Sequence, residues 1–255
     1  MKGLIDSHAH ILDESFENTN EIIEAAKQDG VDKIMIICSE FDQVEKAVKL
    51  KKSSEMFDIA VGIYPGDVKD IDESKLDELE DLLRIDEVNC LGEIGLDYYW
   101  QKDNKEEQID YFIKQIYLAN KYNIPISVHS RDAAFDTLET LKNYPVNKKG
   151  IIHCYSQSLE MAKEYIKLGF YLGIGGVVTF KNSKVLKEVV KEIDLKYLIM
   201  ETDCPYLTPT PFRGKRNEPK YVKYVYEYVA QLKEASVEEV IEACKNNYKK
   251  LINQD

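Results

Sequence analysis

The stretch GLIDSHAH, residues 3–10, is the first of eight short apolar runs in a chain of 255 residues. Each run is rich in Ile, Val or Leu and is short, as expected for strands buried on both faces of a parallel sheet. The later runs are KIMIICS (33–39), DIAVGIYP (58–65), NCLGEIGLD (89–97), IPISVHS (124–130), GIIHCYS (150–156), FYLGIGG (170–176) and YLIMETDCP (197–205).

Amphipathic, helix-like segments separate these runs. The clearest cover residues 20–30, 105–123, 158–169, 218–232 and 236–252, and Ser158 is a candidate N-cap. Eight alternations of strand and helix predict a (β/α)8 TIM barrel, as a single domain over residues 1–255. Length alone also allows two smaller domains. An open doubly wound sheet is the alternative fold, but DSHAH is not the glycine-rich loop that normally follows its first strand.

Composition narrows the class of protein. A net charge of −12 argues against nonspecific nucleic-acid binding over the whole surface, but not against local phosphate contacts. The apolar runs are all shorter than the about 18 residues that span a bilayer, and the first is too short for a signal peptide. We therefore expect a cytoplasmic protein with no membrane partner, and no obligate protein partner is evident. The five cysteines form no CxxC pair, which indicates neither a disulfide framework nor a thiolate zinc site.

All four histidines and two carboxylates fall late in these runs. They are His8, His10, Glu93, His129, His153 and Asp203. His8 and His10, spaced i, i+2, share one face of a strand, and a barrel brings all its strand ends to one rim. Imidazole and carboxylate ligands suit zinc, manganese, nickel or iron, and six ligands allow two ions with Glu93 as a bridge. Glu201 shares a face with Asp203 and is a candidate partner of the ligands.

Each residue also has a structural interpretation. The HxH pair could be a chance pair at a strand end, and His129 or His153 alone could be a hydrogen-bonded core histidine. Asp203 alone could cap the loop that follows it. A buried Glu93 is harder to explain in this way, because an unpaired carboxylate is costly inside a protein.

The motifs together resemble one family. The chain carries HxH (8–10), GEIGLDYY (92–99), VHSRDA (128–133), HCYS (153–156) and ETDCPYLTP (201–209) in this order. It closely resembles the TatD family of metal-dependent deoxyribonucleases. The resemblance implies a TIM-barrel hydrolase that cleaves DNA phosphodiesters with two divalent ions, of which zinc, magnesium, manganese and nickel are the candidates. It implies that His8, His10 and Asp203 hold one ion, that His129 and His153 hold the other, and that Glu93 bridges them.

The substrate side of the site is less typical. Where the family usually has GxHP, this chain has GIYP with Tyr64 at the histidine position, a residue that can donate a hydrogen bond to a phosphate but is no proton shuttle near neutral pH. Gln157 also replaces a small residue. The candidate phosphate contacts are Arg131, Arg213, Lys215 and Arg216, with an ordinary solvated basic loop as the alternative. Asn217 in the same loop is a candidate substrate contact or a residue that helps to order the loop.

The expected reaction is hydrolysis by metal-activated water, with Glu93 and Asp203 as catalytic residues and Asp203 accepting the proton of the water. Two other functions remain open. The same chemistry could cleave an amide, a lactone or an aminoacyl ester, and a non-catalytic metal-binding module would keep the ligands without turnover.

Overall fold

Eight parallel strands form one sheet in the computed structural model, which describes residues 1–252 except the side chain of residue 70; the last three residues of the predicted 1–255 domain lie outside it. The strands are β1 (Leu4–Ala9), β2 (Val31–Cys38), β3 (Phe57–Val61), β4 (Val88–Asp97), β5 (Ile126–Arg131), β6 (Gly150–Ile152), β7 (Tyr171–Ile174) and β8 (Leu198–Met200). They pair in chain order, each with the next.

The sheet curves until its last strand meets its first. A parallel bridge joins Ala9 to Cys204, the His10 amide donates to the Cys204 carbonyl at 2.9 Å, and the Asp203 amide donates to the His8 carbonyl at 2.9 Å. These bonds close the ring just beyond β8. The predicted (β/α)8 barrel is therefore confirmed.

Helices connect the strands. Within residues 1–252 the α-helices are α1 (Thr19–Gln28), α2 (Gln43–Ser53), α3 (Ser74–Leu82), α4 (Lys105–Tyr122), α5 (Ala134–Asn143), α6 (Leu159–Lys167), α7 (Lys184–Glu192), α8 (Val222–Lys233) and α9 (Val237–Ile252). Four short 3-10 helices cover Pro65–Asp70, Gly176–Thr179, Leu195–Tyr197 and Pro219–Tyr221. Ser158 caps α6 as predicted, because its side chain accepts a hydrogen bond from the Met161 amide.

β3 and β8 are among the strands that end before the apolar runs that predict them. β3 stops at Val61, and a 3-10 helix starts at Pro65, a residue without an amide donor. β8 stops at Met200 although its run continues to residue 205, because Asp203 has a left-handed backbone with φ +56° that ends extended structure. These early ends leave polar residues free at the carboxyl end of the barrel.

Apolar side chains of the strands and of the inner helix faces form one continuous core. In the described part of the chain, no helix is both long and apolar enough to cross a membrane. The buried polar side chains include His8, His153 and Glu201, which lie at the carboxyl end. That end is where (β/α)8 barrels carry their active sites.

Candidate metal centre

The structure brings the six predicted ligands together at the carboxyl end of the barrel. Their potential ligand atoms fall into two groups, each with all atoms within 4.8 Å of one another: His8, His10 and Asp203 in the first, and Glu93, His129 and His153 in the second. They reach this point from β1, β4 and β5 and from the segments that follow β1, β6 and β8.

Glu93 lies between the two groups. Its Oε1 is 2.6 Å from His129 Nδ1 and 2.9 Å from His153 Nε2, whereas its Oε2 is 3.5 Å from His8 Nε2 and 3.8 Å from His10 Nε2. Each oxygen therefore faces one pair of imidazoles. A carboxylate placed in this way could bridge two cations.

Asp203 completes the first group from the loop after β8. Its Oδ1 is 3.6 Å from His10 Nε2 and 3.8 Å from His8 Nε2. The left-handed backbone at this residue and the bond from its amide to the His8 carbonyl fix the loop against β1. Donors from the first strand region and from the loop after the last strand thus meet around one point.

His8 and His10 are oriented by serine hydroxyls. Ser127 Oγ lies 3.3 Å from His8 Nδ1, and Ser39 Oγ lies 2.9 Å from His10 Nδ1. In both rings Nδ1 faces the serine and Nε2 faces the carboxylates. A partner on the far nitrogen that fixes ring orientation is typical of metal-ligating histidines.

His129 is oriented by a carboxylate instead. Its Nε2 lies 2.9 Å from Asp97 Oδ2, and the same oxygen accepts a hydrogen bond from the Tyr64 hydroxyl at 2.8 Å. Although burial opposes the shift, hydrogen bonds from His129, the Trp100 amide and Tyr64 lower the pKa of Asp97 to about 2. Asp97 is therefore charged at neutral pH and fixes which nitrogen of His129 faces Glu93.

Glu201 lies behind His153. Its Oε1 is 3.8 Å from His153 Nδ1, the nitrogen opposite the one that faces Glu93, and it accepts a hydrogen bond from the Cys154 amide. A side chain at position 173 would contact the Glu201 carboxylate, so glycine there leaves the room that this buried carboxylate occupies. His8, His153 and Glu201 also form a compact group. Burial, reinforced by Asp203, holds the pKa of Glu201 well above its usual range, and we therefore place it as a partner of His153 and not as a ligand.

The site combines depressed and raised pKa values. Burial lowers the pKa of His8 to about 4, so His8 is neutral at pH 7. Burial alone would also lower the pKa of His129, but the Glu93 and Asp97 carboxylates raise it to about 9. Against the effect of burial, the imidazoles hold the pKa of Glu93 well below its usual range and lower that of Asp203. Both carboxylates are thus charged in the neutral range.

Buried polar atoms show that the residues fit a metal. Among the described residues, His8 Nε2 and His153 Nδ1 are buried without a hydrogen-bond partner. Such atoms are costly in an interior unless something else satisfies them. A cation between the carboxylates would satisfy His8 Nε2, and its neutral imidazole is already in the form that binds metal.

The predicted substrate contacts are spread along the rim. Arg131 ends β5 and is exposed, and Arg213 and Arg216 are exposed in the loop after β8. Tyr64 is half-buried, and its hydroxyl is already bonded to Asp97. Asn217 does not have the exposure that its predicted substrate contact requires. It is completely buried, and its Nδ2 donates to the carbonyls of residues 202 and 206, so it orders the loop.

The sequence prediction omitted Ser39, Ser127 and Asp97. The serines carry no signal, because serine is common at strand ends and in loops. Asp97 did carry one: it is the charged residue that closes the fourth apolar run, the position at which the ligand candidates were found in other runs. The same reasoning, applied to every carboxylate that closes an apolar run, finds it.

Comparison with known proteins defines the class. The chain is 43% identical over 250 residues to the uncharacterized metal-dependent hydrolase YabD of Bacillus subtilis, covering 97% of this chain and 98% of that protein. It is 33% identical over 260 residues to the uncharacterized metal-dependent hydrolase YcfH of Escherichia coli, covering 99% and 96%. Barrel, site and relatives together make this protein a metal-dependent hydrolase.

The family follows from two further matches. Residues 5–253 match the family model described as TatD related DNase. The crystal structure of YjjV, a TatD homologue from Escherichia coli, superposes with a TM-score of 0.93 at 28% identity and covers 98% of both chains. The chain belongs to the TatD family, as the motif order indicates.

Proposed function

We propose that the protein is a deoxyribonuclease that hydrolyses phosphodiester bonds with two divalent ions. The observation that supports the proposal is the orientation of the Glu93 carboxylate. One of its oxygens faces His129 and His153, and the other faces His8 and His10. Two-metal sites of this kind are typical of enzymes that displace an oxygen at phosphorus.

The candidate ligands divide between two metal positions. His8, His10 and Asp203 would hold one ion, His129 and His153 the other, and Glu93 both. When bound, the ions would lower the pKa of a water molecule towards about 7 and neutralise charge on the phosphoryl oxygens. Glu93 keeps the two ligand groups at a fixed spacing, since its charge is held by imidazoles on both sides.

Asp203 is the residue to take the proton from the attacking water. It is charged at neutral pH and lies at the edge of the ligand set, with 13% of its side chain exposed. Attack of the water oxygen on phosphorus breaks a P–O bond, and the proton held by Asp203 then passes to the departing oxygen. A carboxylate can perform both transfers without leaving its place.

A phosphate-bearing substrate is favoured over a carboxyl ester or an amide by the rim. In the part of the chain that the structure describes, Arg131 and Arg213 are exposed and have no carboxylate within ion-pair distance. Free guanidinium groups recognise phosphates through paired hydrogen bonds. This supports a DNA substrate, and the other ester and amide substrates become outcomes of the test.

The test is metal-dependent hydrolysis with Glu93→Gln against Glu87→Gln. Glu87 precedes β4 at the opposite end of the barrel and pairs with Lys52 on the surface. Metal-stripped protein is supplied in turn with Mg²⁺, Mn²⁺, Zn²⁺ and Ni²⁺ and assayed on labelled single-stranded DNA, on a p-nitrophenyl phosphodiester and on a p-nitrophenyl carboxyl ester. We expect cleavage of both phosphodiesters by wild type and Glu87→Gln, and loss of about a thousandfold or more in Glu93→Gln. Cleavage of the carboxyl ester alone would overturn the proposal.

A further inference from the structure

Arginine is rare in this chain and concentrated at the site. Of the 34 basic residues only four are arginine, and three of these lie on loops or strand ends at the carboxyl end of the barrel. Each of the three guanidinium groups lies over an aromatic ring: Arg131 over Tyr99 at 3.9 Å, Arg213 over Phe180 at 3.6 Å and Arg216 over Phe16 at 4.7 Å. Arg84, the fourth, forms surface ion pairs on α3.

One of these stacks stands out by its exposure. Tyr99 is 47% exposed and Trp100, the only tryptophan, is 65% exposed. Their rings meet edge to face at 4.7 Å, and the Arg131 guanidinium lies over both, 5.4 Å from the Trp100 ring. We call Tyr99, Trp100 and Arg131 the aromatic platform. A large exposed aromatic surface beside a cation without an ion-pair partner is typical of a ligand-binding site.

The platform is fixed to the candidate metal centre. Asp97 Oδ1 accepts hydrogen bonds from the amides of Tyr99 at 2.9 Å and Trp100 at 3.0 Å, while its Oδ2 faces His129. Arg131 follows His129 by two residues on β5. One carboxylate thus positions both a predicted metal ligand and the turn that presents the two rings.

We propose that the aromatic platform is a subsite that stacks an unpaired nucleobase beside the bond to be cleaved. The inference rests on the proposed function and deepens it, because it identifies what selects the strand. Every base has a π-face for the rings, and Arg131 can stack on it or neutralise a neighbouring phosphate. A base inside a duplex has both faces covered, so the platform favours single strands over duplexes.

The single tryptophan provides a direct test. Full-length protein, stripped of metal so that the strand stays intact, is titrated with a single-stranded oligothymidylate, with an abasic strand of the same length and with a duplex. A second series uses metal-loaded protein and a phosphorothioate-linked strand. We expect saturable quenching of Trp100 fluorescence and binding of the base-containing strand roughly tenfold tighter than the abasic one. Equal affinities for the two strands, or binding without any change in Trp100 fluorescence, would overturn the platform.

Variants of the two rings test whether stacking accounts for the preference for bases. By anisotropy of a labelled strand, Trp100→Ala and Tyr99→Ala should each lose most of the preference for bases, whereas Trp100→Phe keeps a ring and should retain it. Tyr117→Ala removes a tyrosine of similar exposure from α4 and should keep the wild-type preference. Wild-type preference in Trp100→Ala contradicts the inference. Because these measurements need no cleavage, they are independent of the hydrolysis assay that tests the proposed function.

Discussion

The two ends of the barrel both contain buried charge, but they satisfy it differently. At the amino end Asp58 is 5% exposed, and Lys51 Nζ at 3.0 Å, the Tyr248 hydroxyl at 2.8 Å and Lys33 Nζ at 3.6 Å surround it. A cavity of about 890 Å³ opens beside it, and Lys33, Lys51 and Lys245 on its wall pair with carboxylates.

At the carboxyl end the buried charged and polar groups are not all paired. The charged carboxylates Glu93 and Asp203 lie among imidazoles that cannot all be protonated, since burial keeps the pKa of His8 at about 4. Unpartnered atoms remain, among them Glu201 Oε2. The comparison teaches that buried charge alone does not indicate a site. We therefore expect the end whose charges call for an added cation to be the functional one, and the other end to stabilise the fold.

The largest expected effect comes from removing the HxH pair. His8→Ala/His10→Ala should lower the metal content by about one ion per chain and reduce turnover by about a thousandfold or more, because several kcal/mol of charge stabilisation are lost. Elemental analysis and hydrolysis rates measure both, and far-UV circular dichroism checks the fold. His10→Gln serves as a milder variant if the double variant folds poorly. Full metal content with unchanged turnover would show that His8 and His10 do not hold a cation that the reaction needs.

The second effect is on pH dependence. Because the carboxylates raise the pKa of His129 to about 9, the metal-free protein carries a proton there at pH 7 that must leave before Nδ1 can bind metal. Affinity should rise about tenfold per pH unit, or about a hundredfold between pH 6 and 8. Calorimetry with Mn²⁺ in two buffers of different ionisation enthalpy measures the proton released.

The stability of the metal-free protein should change in the opposite direction. A histidine whose pKa is raised on folding contributes stability that is fully present below the unfolded value of about 6.5 and is lost as the pH rises through about 9. Thermal melts between pH 7 and 9 should therefore shift downwards without metal, while affinity for metal increases. A constant affinity over this range contradicts a protonated His129.

A smaller effect is expected at the orienting carboxylate. Asp97→Asn should weaken metal binding about 10- to 100-fold, the usual effect of removing a partner that orients a histidine ligand. Asp136→Asn is the matched control, because Asp136 accepts a tyrosine hydroxyl at 2.8 Å from Tyr98, just as Asp97 accepts one from Tyr64. Competition with a chelating dye measures both. Equal affinities would mean that His129 is held by packing alone.

Sequence patterns predicted the barrel and the meeting of six ligands, because both depend on local regularities. Short apolar runs mark the strands, and histidines at their ends share a rim by topology. The Asp97–His129 and Tyr64–Asp97 contacts join residues 32 and 33 positions apart and depend on exact side-chain geometry. The burial of Asn217 and the partners of Asp58 depend in the same way on how distant segments pack. The spacing of residues along the sequence does not reveal such contacts.

The last prediction concerns the amino end of the barrel, where a substitution should change stability but not activity. Asp58→Asn leaves the Lys51 ammonium, with 19% of its side chain exposed, without its carboxylate, and it weakens the bond to Tyr248. The free energy of unfolding should fall by about 2 kcal/mol, the range for hydrogen bonds to charged groups. Denaturant unfolding measures it, with Glu24→Gln as the control, since that exposed pair with Lys27 should change stability too little to detect.

Metal content and turnover of Asp58→Asn should stay at wild-type values at temperatures where the variant is folded. The expectation follows from position: Asp58 begins β3 at the end away from the ligands, and its partners come from α2, β2 and α9. A loss of metal together with stability would mean that the ion network at the amino end sets the spacing of the strands that carry the ligands. The two ends would then act as one unit, and the division between a stabilising end and a functional end would be wrong.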